Sequence, residues 1–473
     1  MENFRLIAPK FVPPLDPGFR PAALANRAFR KEVAESGKSA PLVFGLERNG
    51  GEISRYETAV FPEGHPRFAA ALPYAERLAK ALLWQRGGWK LYIGGPRAIG
   101  EHIRRTYSPG GAREFDYRFM GGDVYERDFT VVPCAAEEVP AAFEKARPLG
   151  GHLDGCRIGF DLGASDRKVS AVVDGRAIFS EEVIWEPRRN SDPEYHYREI
   201  MAGLKAAAAR LPRVDAVGGS SAGVIVDNRP MVASLFRGVP KDQYHKIRGL
   251  FLRIKEELKV PLEVINDGDV TALAGAMSLE DNGILGVALG SSEAGGYVNR
   301  QGRINPWLNE LAFMPVDYQP AGPVDEWSGD MGAGALYFSQ QCVFRLAPKA
   351  GIELPAGVTD AVKLKAVQSR LEAGHDGAAE IWRSIGVYLG YAVAHYADLY
   401  DIKHVLILGR CTSGRGGELI LQCAGRVLRG EFPELASRIS IRLPDEKSRR
   451  VGQSIAAASL PEIKTSGGKG RKA

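Results

Sequence analysis

Residues 158–173 read Ile158-Gly159-Phe160-Asp161-Leu162-Gly163-Ala164-Ser165-Asp166-Arg167-Lys168-Val169-Ser170-Ala171-Val172-Val173. An apolar run reaches Asp161, a glycine-containing turn follows over 162–168, and a second apolar run returns over 169–173. This order predicts a β-hairpin with a carboxylate at the exit of its first strand. The stretch Ile284-Leu285-Gly286-Val287-Ala288-Leu289-Gly290-Ser291-Ser292-Glu293-Ala294-Gly295-Gly296-Tyr297-Val298 predicts a second hairpin of the same kind. Turns rich in Gly and Ser at the ends of buried strands offer backbone N–H groups to phosphate. Between the hairpins lies Ile265-Asn266-Asp267-Gly268-Asp269, a polar cluster that ends an apolar run and opens an Ala-rich helix. The three segments together point to phosphoryl transfer. Asp-x-Gly-x-Ser is a weak pattern alone, so order and spacing carry the case.

At 473 residues the chain exceeds one compact core, and two or three domains are expected. Its composition, 45% hydrophobic and 25% charged, is that of a soluble protein. No apolar run is long enough to span a bilayer, and the first residues lack the basic-then-apolar layout of a signal peptide. A cytoplasmic location follows as the expectation. Cys134, Cys156, Cys342, Cys411 and Cys423 are odd in number and scattered, without a CxxC pair. They read as buried, reduced thiols, not as a disulfide framework or a thiolate zinc site. The net charge is +5, and Lys464, Lys469, Arg471 and Lys472 fall in a tail over 461–473 that contains Gly and Ser. The tail reads as a disordered, solvated end and gives little support to nucleic-acid binding.

Residues 1–150 read as a separate α+β domain. A lead with Pro9, Pro13, Pro14 and Pro17 precedes a hairpin over 41–61, turned at Asn49-Gly50-Gly51. A helix over 70–85, a strand over 90–93, the turn Gly94-Gly95-Pro96 and a helix through Tyr107 follow. From 157 onward strands and helices alternate. The first hairpin leads to a helix over 194–211, a strand at 216–218 and a helix over 241–258. A strand at 262–265 then enters a helix beginning near Val270. After the second hairpin come a long helix over 377–399, a strand over 404–408, a turn over 409–414 and a last helix over 447–459. This alternation indicates an α/β architecture in two lobes.

The order of these segments resembles the ROK family of sugar kinases, within the actin, Hsp70 and hexokinase superfamily. The likeness covers about 157–460. Asp161-Leu162-Gly163-Ala164-Ser165 is similar to the family's Asp-x-Gly-Gly-Thr-Lys hairpin, with extra residues at the tip. Ile265-Asn266-Asp267-Gly268-Asp269 resembles its Glu-Asn-Asp-Ala-Asn segment. Leu289 through Val298 are similar to its Leu-Gly-Thr-Gly-x-Gly-Gly-Gly-x-Val, and Asn309-Glu310-Leu311-Ala312-Phe313 resembles its Gly-Glu-x-Gly-His. Leu408-Gly409-Arg410 through Gly414 resemble its adenosine turn. The resemblance implies a two-lobed, actin-like (RNase H-like) ATPase fold of ROK type, preceded by the extra N-terminal domain. Lobe 1 would span 157–268, with the helix 446–460 returning to it, and lobe 2 would span 269–445. The family's zinc site uses the His that Phe313 replaces and nearby cysteines. Residues 314–341 contain no Cys, so no zinc is expected. The N-terminal region lacks the helix-turn-helix pattern of ROK repressors.

The resemblance implies an ATP- and Mg²⁺-dependent carbohydrate kinase, with a sugar and a nucleotide as partners, no membrane, and room for a homodimer. Asp267 is the candidate general base, since it stands where a strand ends and a helix begins. A carboxylate there also serves as a helix N-cap. Asn266 and Glu310 would bind sugar hydroxyls, although a turn residue and a surface carboxylate are their ordinary roles. Asp161 would orient Mg²⁺ through water. Gly163, Ser165, Gly290, Ser291 and Ser292 would supply donors to the phosphates. Gly409, Arg410, Ser413 and Gly414 would bracket the adenosine, with Arg410 stacked on the base. Ser292 and Ala294 replace family glycines, which narrows the approach of backbone to phosphate. A sugar- or nucleotide-sensing protein without catalysis is the alternative reading.

Overall fold

The computed structural model describes residues 4–144, 149–444 and 446–463, with backbone alone for 446–451. The tail carrying Lys464, Lys469, Arg471 and Lys472 lies outside the described residues. Two compact units divide the chain. An N-terminal unit holds the residues up to 144 together with 283–295 and 305–443. A central unit holds 149–282, 296–304 and the described residues from 444 onward.

In the N-terminal unit, β1 (Ala40–Glu47) and β2 (Ile53–Val60) form an antiparallel hairpin. Gly50 and Gly51 turn it with φ of 69° and 72°, a region in which side chains are strained. β3 (Lys90–Gly94) runs antiparallel to β1, and β4 (Thr130–Cys134) runs parallel to β3. The helix Ala71–Arg86 packs here with nearly every side chain buried. Another helix, Ala22–Glu35, buries Ala22, Ala23, Ala25, Phe29 and Val33. Mostly alanine, its buried face carries too little bulk to register as a hydrophobic stripe.

Residues 4–144 therefore share a unit with much later chain, whereas the sequence pattern drew a boundary at 150. Their attachments join partners hundreds of residues apart. Arg27 and Arg30 pair with Asp398 at 2.9 and 2.6 Å, and Phe19 meets the Tyr388 ring edge-on at 4.8 Å. Arg77 and Lys80 reach Asp330 at 3.1 and 3.2 Å, while Trp84 stacks on Phe313 at 4.1 Å. Phe313, standing at the family's His position, is thereby part of an aromatic cluster with Trp84, Phe115 and Phe119.

The central unit is built on β5 (Cys156–Leu162), β6 (Asp166–Val173), β7 (Arg176–Ile184), β8 (Ala216–Ser221), the short hairpin β9 (Val224–Val226) and β10 (Arg229–Val232), and β11 (Leu262–Asn266). Its sheet has the order β11–β8–β5–β6–β7. β5, β8 and β11 are parallel, and β6 and β7 return antiparallel. Ile158, Phe160, Val169, Trp185, Leu204, Phe236, Phe251 and Val264 fill the core on one face. The helix Glu446–Ala458 packs on β5 and β8. A side chain at Gly159 or Gly218 would overlap the carbonyl of Ser454 or Ala457, so glycine sets how closely this helix lies. The helix expected over 241–258 breaks at Gly249 into Tyr244–Arg248 and Leu250–Leu258. The helix expected from near Val270 begins at Asp267 and runs to Leu279. Gln453 donates to Thr271 at 2.8 Å, and Asp269 accepts the Tyr297 N–H at 3.0 Å. These bonds carry the unit beyond the boundary expected at 268.

The remaining strands are β12 (Ile284–Leu289), β13 (Glu293–Val298), β14 (His404–Leu408) and β15 (Ser440–Arg442), ordered β13–β12–β14–β15. β12, β14 and β15 are parallel, with Ala288 opposite Leu408. The helix Asp376–Ala397 is buried along nearly its whole length and packs against the helix Arg415–Glu431.

Replacement of Gly218 by valine is expected to lower stability by about 3 kcal/mol through overpacking, read as a fall in the urea midpoint. An unchanged midpoint would mean that the last helix does not rest on β8.

Candidate functional site

Parallel pairing aligns the carboxyl ends of β5, β8 and β11. Asp161 lies opposite Ser220, which lies opposite Ile265, and the next register joins Leu162, Ser221 and Asn266. Ligands of open α/β sheets bind outside such strand ends. Ser220 is fully buried, and its hydroxyl donates to Asp161 Oδ1 at 2.5 Å. Burial raises the proton affinity of Asp161; the Ser220 bond and Lys168 act in the opposite direction.

Asn266 is the N-cap of the helix that Asp267 opens. Its Oδ1 accepts the Gly268 N–H at 2.7 Å, and its Nδ2 donates to the Gly223 carbonyl at 2.8 Å. The amide expected to meet a sugar hydroxyl thus has a protein partner at each end. Capping by Asn266 leaves Asp267 less occupied: it is half-buried, and its Oδ1 accepts the Gly268 N–H at 3.0 Å. Burial, and then the neighbouring Asp161 carboxylate, push its pKa up to about 6. Two carboxyls close together in low dielectric resist joint ionisation.

The first hairpin is closed at its tip by the Gly163 N–H, which donates to the Asp166 carbonyl at 2.9 Å. The Gly163 carbonyl accepts from the Trp185 ring N–H at 2.8 Å, and the Ser165 carbonyl from the Trp185 backbone at 3.2 Å. The Ser165 hydroxyl donates to Asp166 at 2.9 Å and is exposed with its residue. Gly163 therefore spends its N–H on the turn itself and not on a ligand.

In the N-terminal unit Gly290 does likewise, donating to the Ser292 carbonyl at 3.0 Å. Ser291 and Ser292 are exposed, and the Ser291 carbonyl accepts from Gln341 at 3.3 Å. The turn after β14 lies against this hairpin: a side chain at Gly409, whose φ is 99°, would overlap the Leu289 carbonyl oxygen. Thr412 closes the turn with a hydroxyl bond to the Gly409 carbonyl at 2.9 Å. Arg410, Ser413 and Gly414 are exposed beside it, and Gly414 caps the helix Arg415–Glu431 with φ of 61°. The structure thus sets the turn that carries Gly409, Arg410, Ser413 and Gly414 beside the strand end that leads into Gly290, Ser291 and Ser292.

Glu310 is half-buried in a loop docked on the last turn of the helix Ala71–Arg86. The Asn309 and Glu310 N–H groups donate to the Gln85 and Trp84 carbonyls at 2.9 and 3.0 Å. Asn309, at the family's Gly position, has φ of 51°, which asparagine tolerates better than most residues. Glu293 went unassigned in the sequence reading. It is buried, accepts the Tyr396 hydroxyl at 3.0 Å through Oε1, and has no hydrogen-bond partner at Oε2. Burial, with Glu310 adding to it against the Tyr396 bond, pushes its pKa up to about 8, so it is neutral at pH 7. A carboxylate at an inward place of an apolar strand was the available signal. Ser220 gave less notice, as one small residue in a Gly-Gly-Ser-Ser run.

Among the described residues no group of three or more His, Cys, Asp or Glu is arranged to hold a metal ion. Mg²⁺ needs less: it keeps much of its water and takes one or two carboxylates. Asp161, a half-buried oxygen donor at a strand end, fits that requirement.

No family model matches the chain, and no curated protein matches it. Solved structures do. A ROK hexokinase from Thermus thermophilus aligns with a TM-score of 0.51 at 19% identity, over 64% of this chain and 97% of its own. A ROK family transcriptional regulator, a homologue of the E. coli Mlc protein, aligns with a TM-score of 0.51 at 18% identity, over 65% of this chain and 78% of its own. About two thirds of this chain therefore has the ROK-type, actin-like α/β fold, with a further region outside it.

Proposed function

We propose that the chain is an ATP- and Mg²⁺-dependent carbohydrate kinase in which Asp267 is the general base. The observation that carries this reading is the carboxyl pair at the strand ends. Burial, and then Asp161, raise the proton affinity of Asp267 to a pKa of about 6, so Asp267 is ionised at neutral pH yet basic enough to accept a proton. In this role Asp267 takes the proton of a sugar hydroxyl as the hydroxyl oxygen bonds to the γ-phosphorus of ATP. The bond from that phosphorus to the β,γ-bridging oxygen breaks, and ADP leaves. Mg²⁺, when bound, supplies positive charge to the phosphates, and Asp161 would hold it through water. Glu310 would orient further sugar hydroxyls. The tip of the second hairpin would meet the phosphates, and Arg410, Ser413 and Gly414 the adenosine.

One observation favours the sensing alternative. Gly163 and Gly290 both spend their N–H groups within their own turns, so neither hairpin offers its full set of donors. The fold does not decide between the readings, since a transcriptional regulator shares it with a hexokinase.

ADP release measured against a panel of sugars and amino sugars tests the proposal. On any sugar that is turned over, Asp267→Asn is expected to lower turnover by about two orders of magnitude or more. Wild-type activity falls as pH drops through about 6, because the base is then protonated. The same variant should be more stable at pH 7, by about 1–3 kcal/mol. A carboxyl whose folded pKa is raised destabilises the fold above that pKa, and the penalty disappears below the unfolded value of 3.8. Full turnover in the variant contradicts the assignment.

Mg²⁺-ATP should raise the melting temperature with increasing concentration by mass action. Ser292→Asp sets a negative charge at the exposed tip of the second hairpin and should abolish this shift, while Ser292→Gly preserves it. An unaltered ATP response in Ser292→Asp makes that hairpin purely structural.

A further inference from the structure

Trp185, which holds the tip of the first hairpin, is followed by the short helix Pro187–Arg189. His196 pins this turn from below. Its Nε2 lies 3.1 Å from the Pro187 carbonyl, and its ring meets Phe236 edge-on at 5.1 Å. Phe236 ends the short helix Ser234–Phe236. Arg188 and Arg237 thus each follow by one residue a residue anchored on the same imidazole. Gly238 closes the gap between the two segments. A Cβ there would lie 2.6 Å from the Asn190 carbonyl oxygen and 2.9 Å from that of Arg188.

Among the described residues the two guanidiniums have no counter-charge. Arg188 is half-buried, and its Nε is enclosed by protein without a hydrogen-bond partner. Burial, and then the charge of Arg237, disfavour its protonated form, and no carboxylate acts against them. Arg237 is exposed, and among the described residues it makes no ion pair. Neighbouring Arg189 differs, since it pairs with Glu186 at 3.2 Å. An unpaired, partly desolvated guanidinium beside a second one is unfavourable until an anion arrives. Two planar forks of N–H donors suit the three oxygens of a phosphate dianion.

We propose that Arg188 and Arg237 form a phosphate-binding site in the central unit, apart from the residues assigned above to nucleotide and sugar. Its ligand carries a terminal phosphate dianion, as inorganic polyphosphate or as a phosphate ester. This site does not depend on the kinase reading.

Isothermal titration at constant ionic strength tests it, with inorganic phosphate, tripolyphosphate and a hexose 6-phosphate as probes and chloride as the control anion. At least one phosphate probe is expected to saturate at one site with a submillimolar Kd, and chloride, a monoanion that cannot bridge two forks, to bind at least tenfold more weakly. Binding by phosphate or tripolyphosphate identifies an inorganic ligand, and binding by the hexose phosphate alone identifies an ester. Arg237→Ala and Arg188→Ala should each weaken the binding tenfold or more. Ser292→Asp should leave it unchanged, which separates this site from the second hairpin. Arg237 is exposed, so its variant folds whatever becomes of Arg188→Ala. Absence of saturable phosphate binding in the wild-type chain, or an unchanged Kd in Arg237→Ala, overturns the proposal.

Discussion

Two carboxyls, Asp161 and Asp267, held near one another at the carboxyl edge of a parallel sheet, are the constraint on which the candidate chemistry depends. The sheet sets their places through pairing register, since Asp161, Ser220 and the last residues of β11 fall on one line across three strands. Among the described residues no arginine neutralises either carboxyl. Ser220 supplies one hydrogen bond to Asp161, and Lys168 a charge. The remaining electrostatic cost appears as a raised proton affinity at Asp267. A group of this kind destabilises the fold at neutral pH, which is the usual sign of a site arranged for function and not for stability.

The helix cap makes this arrangement possible. Asn266 takes over the capping that Asp267 would otherwise perform, and its amide is anchored on Gly223. Asp267 can then occupy the first helical position with its carboxyl less engaged. In the N-terminal unit the second hairpin and the turn after β14 meet through the parallel pairing of β12 with β14. Glu293, neutral and buried at the start of that hairpin's second strand, is a departure from the apolar side chain expected at an inward strand position.

Much of this was legible in the sequence, because it is local. Alternating apolar runs around glycine turns placed both hairpins, and the polar break after Ile265 placed Asp267 at a strand-to-helix junction. The unit boundaries were not legible. Arg27 with Asp398 and Arg77 with Asp330 join residues with no local signal, and they attach the first 144 residues to later chain. Division of labour between Asn266 and Asp267 was also hidden. Both residues cap helices well, and only three-dimensional bonding assigns the cap to one of them. Gly163 and Gly290 show the same limit from the other side. Their residue type announces a turn, but the direction of each N–H depends on the closure of that turn.

The coupling between the two carboxyls is open to direct measurement by carbon-detected NMR titration of the Asp267 side chain. The wild-type chain, free of ligands, should titrate with a midpoint near the pKa of about 6 that burial and Asp161 give it. Asp161→Asn should move that midpoint downward, because one of the two causes has been removed. A wild-type midpoint near the unperturbed 3.8 would contradict the account, since Asp267 would then be an ordinary solvated carboxylate with no claim to the role of base.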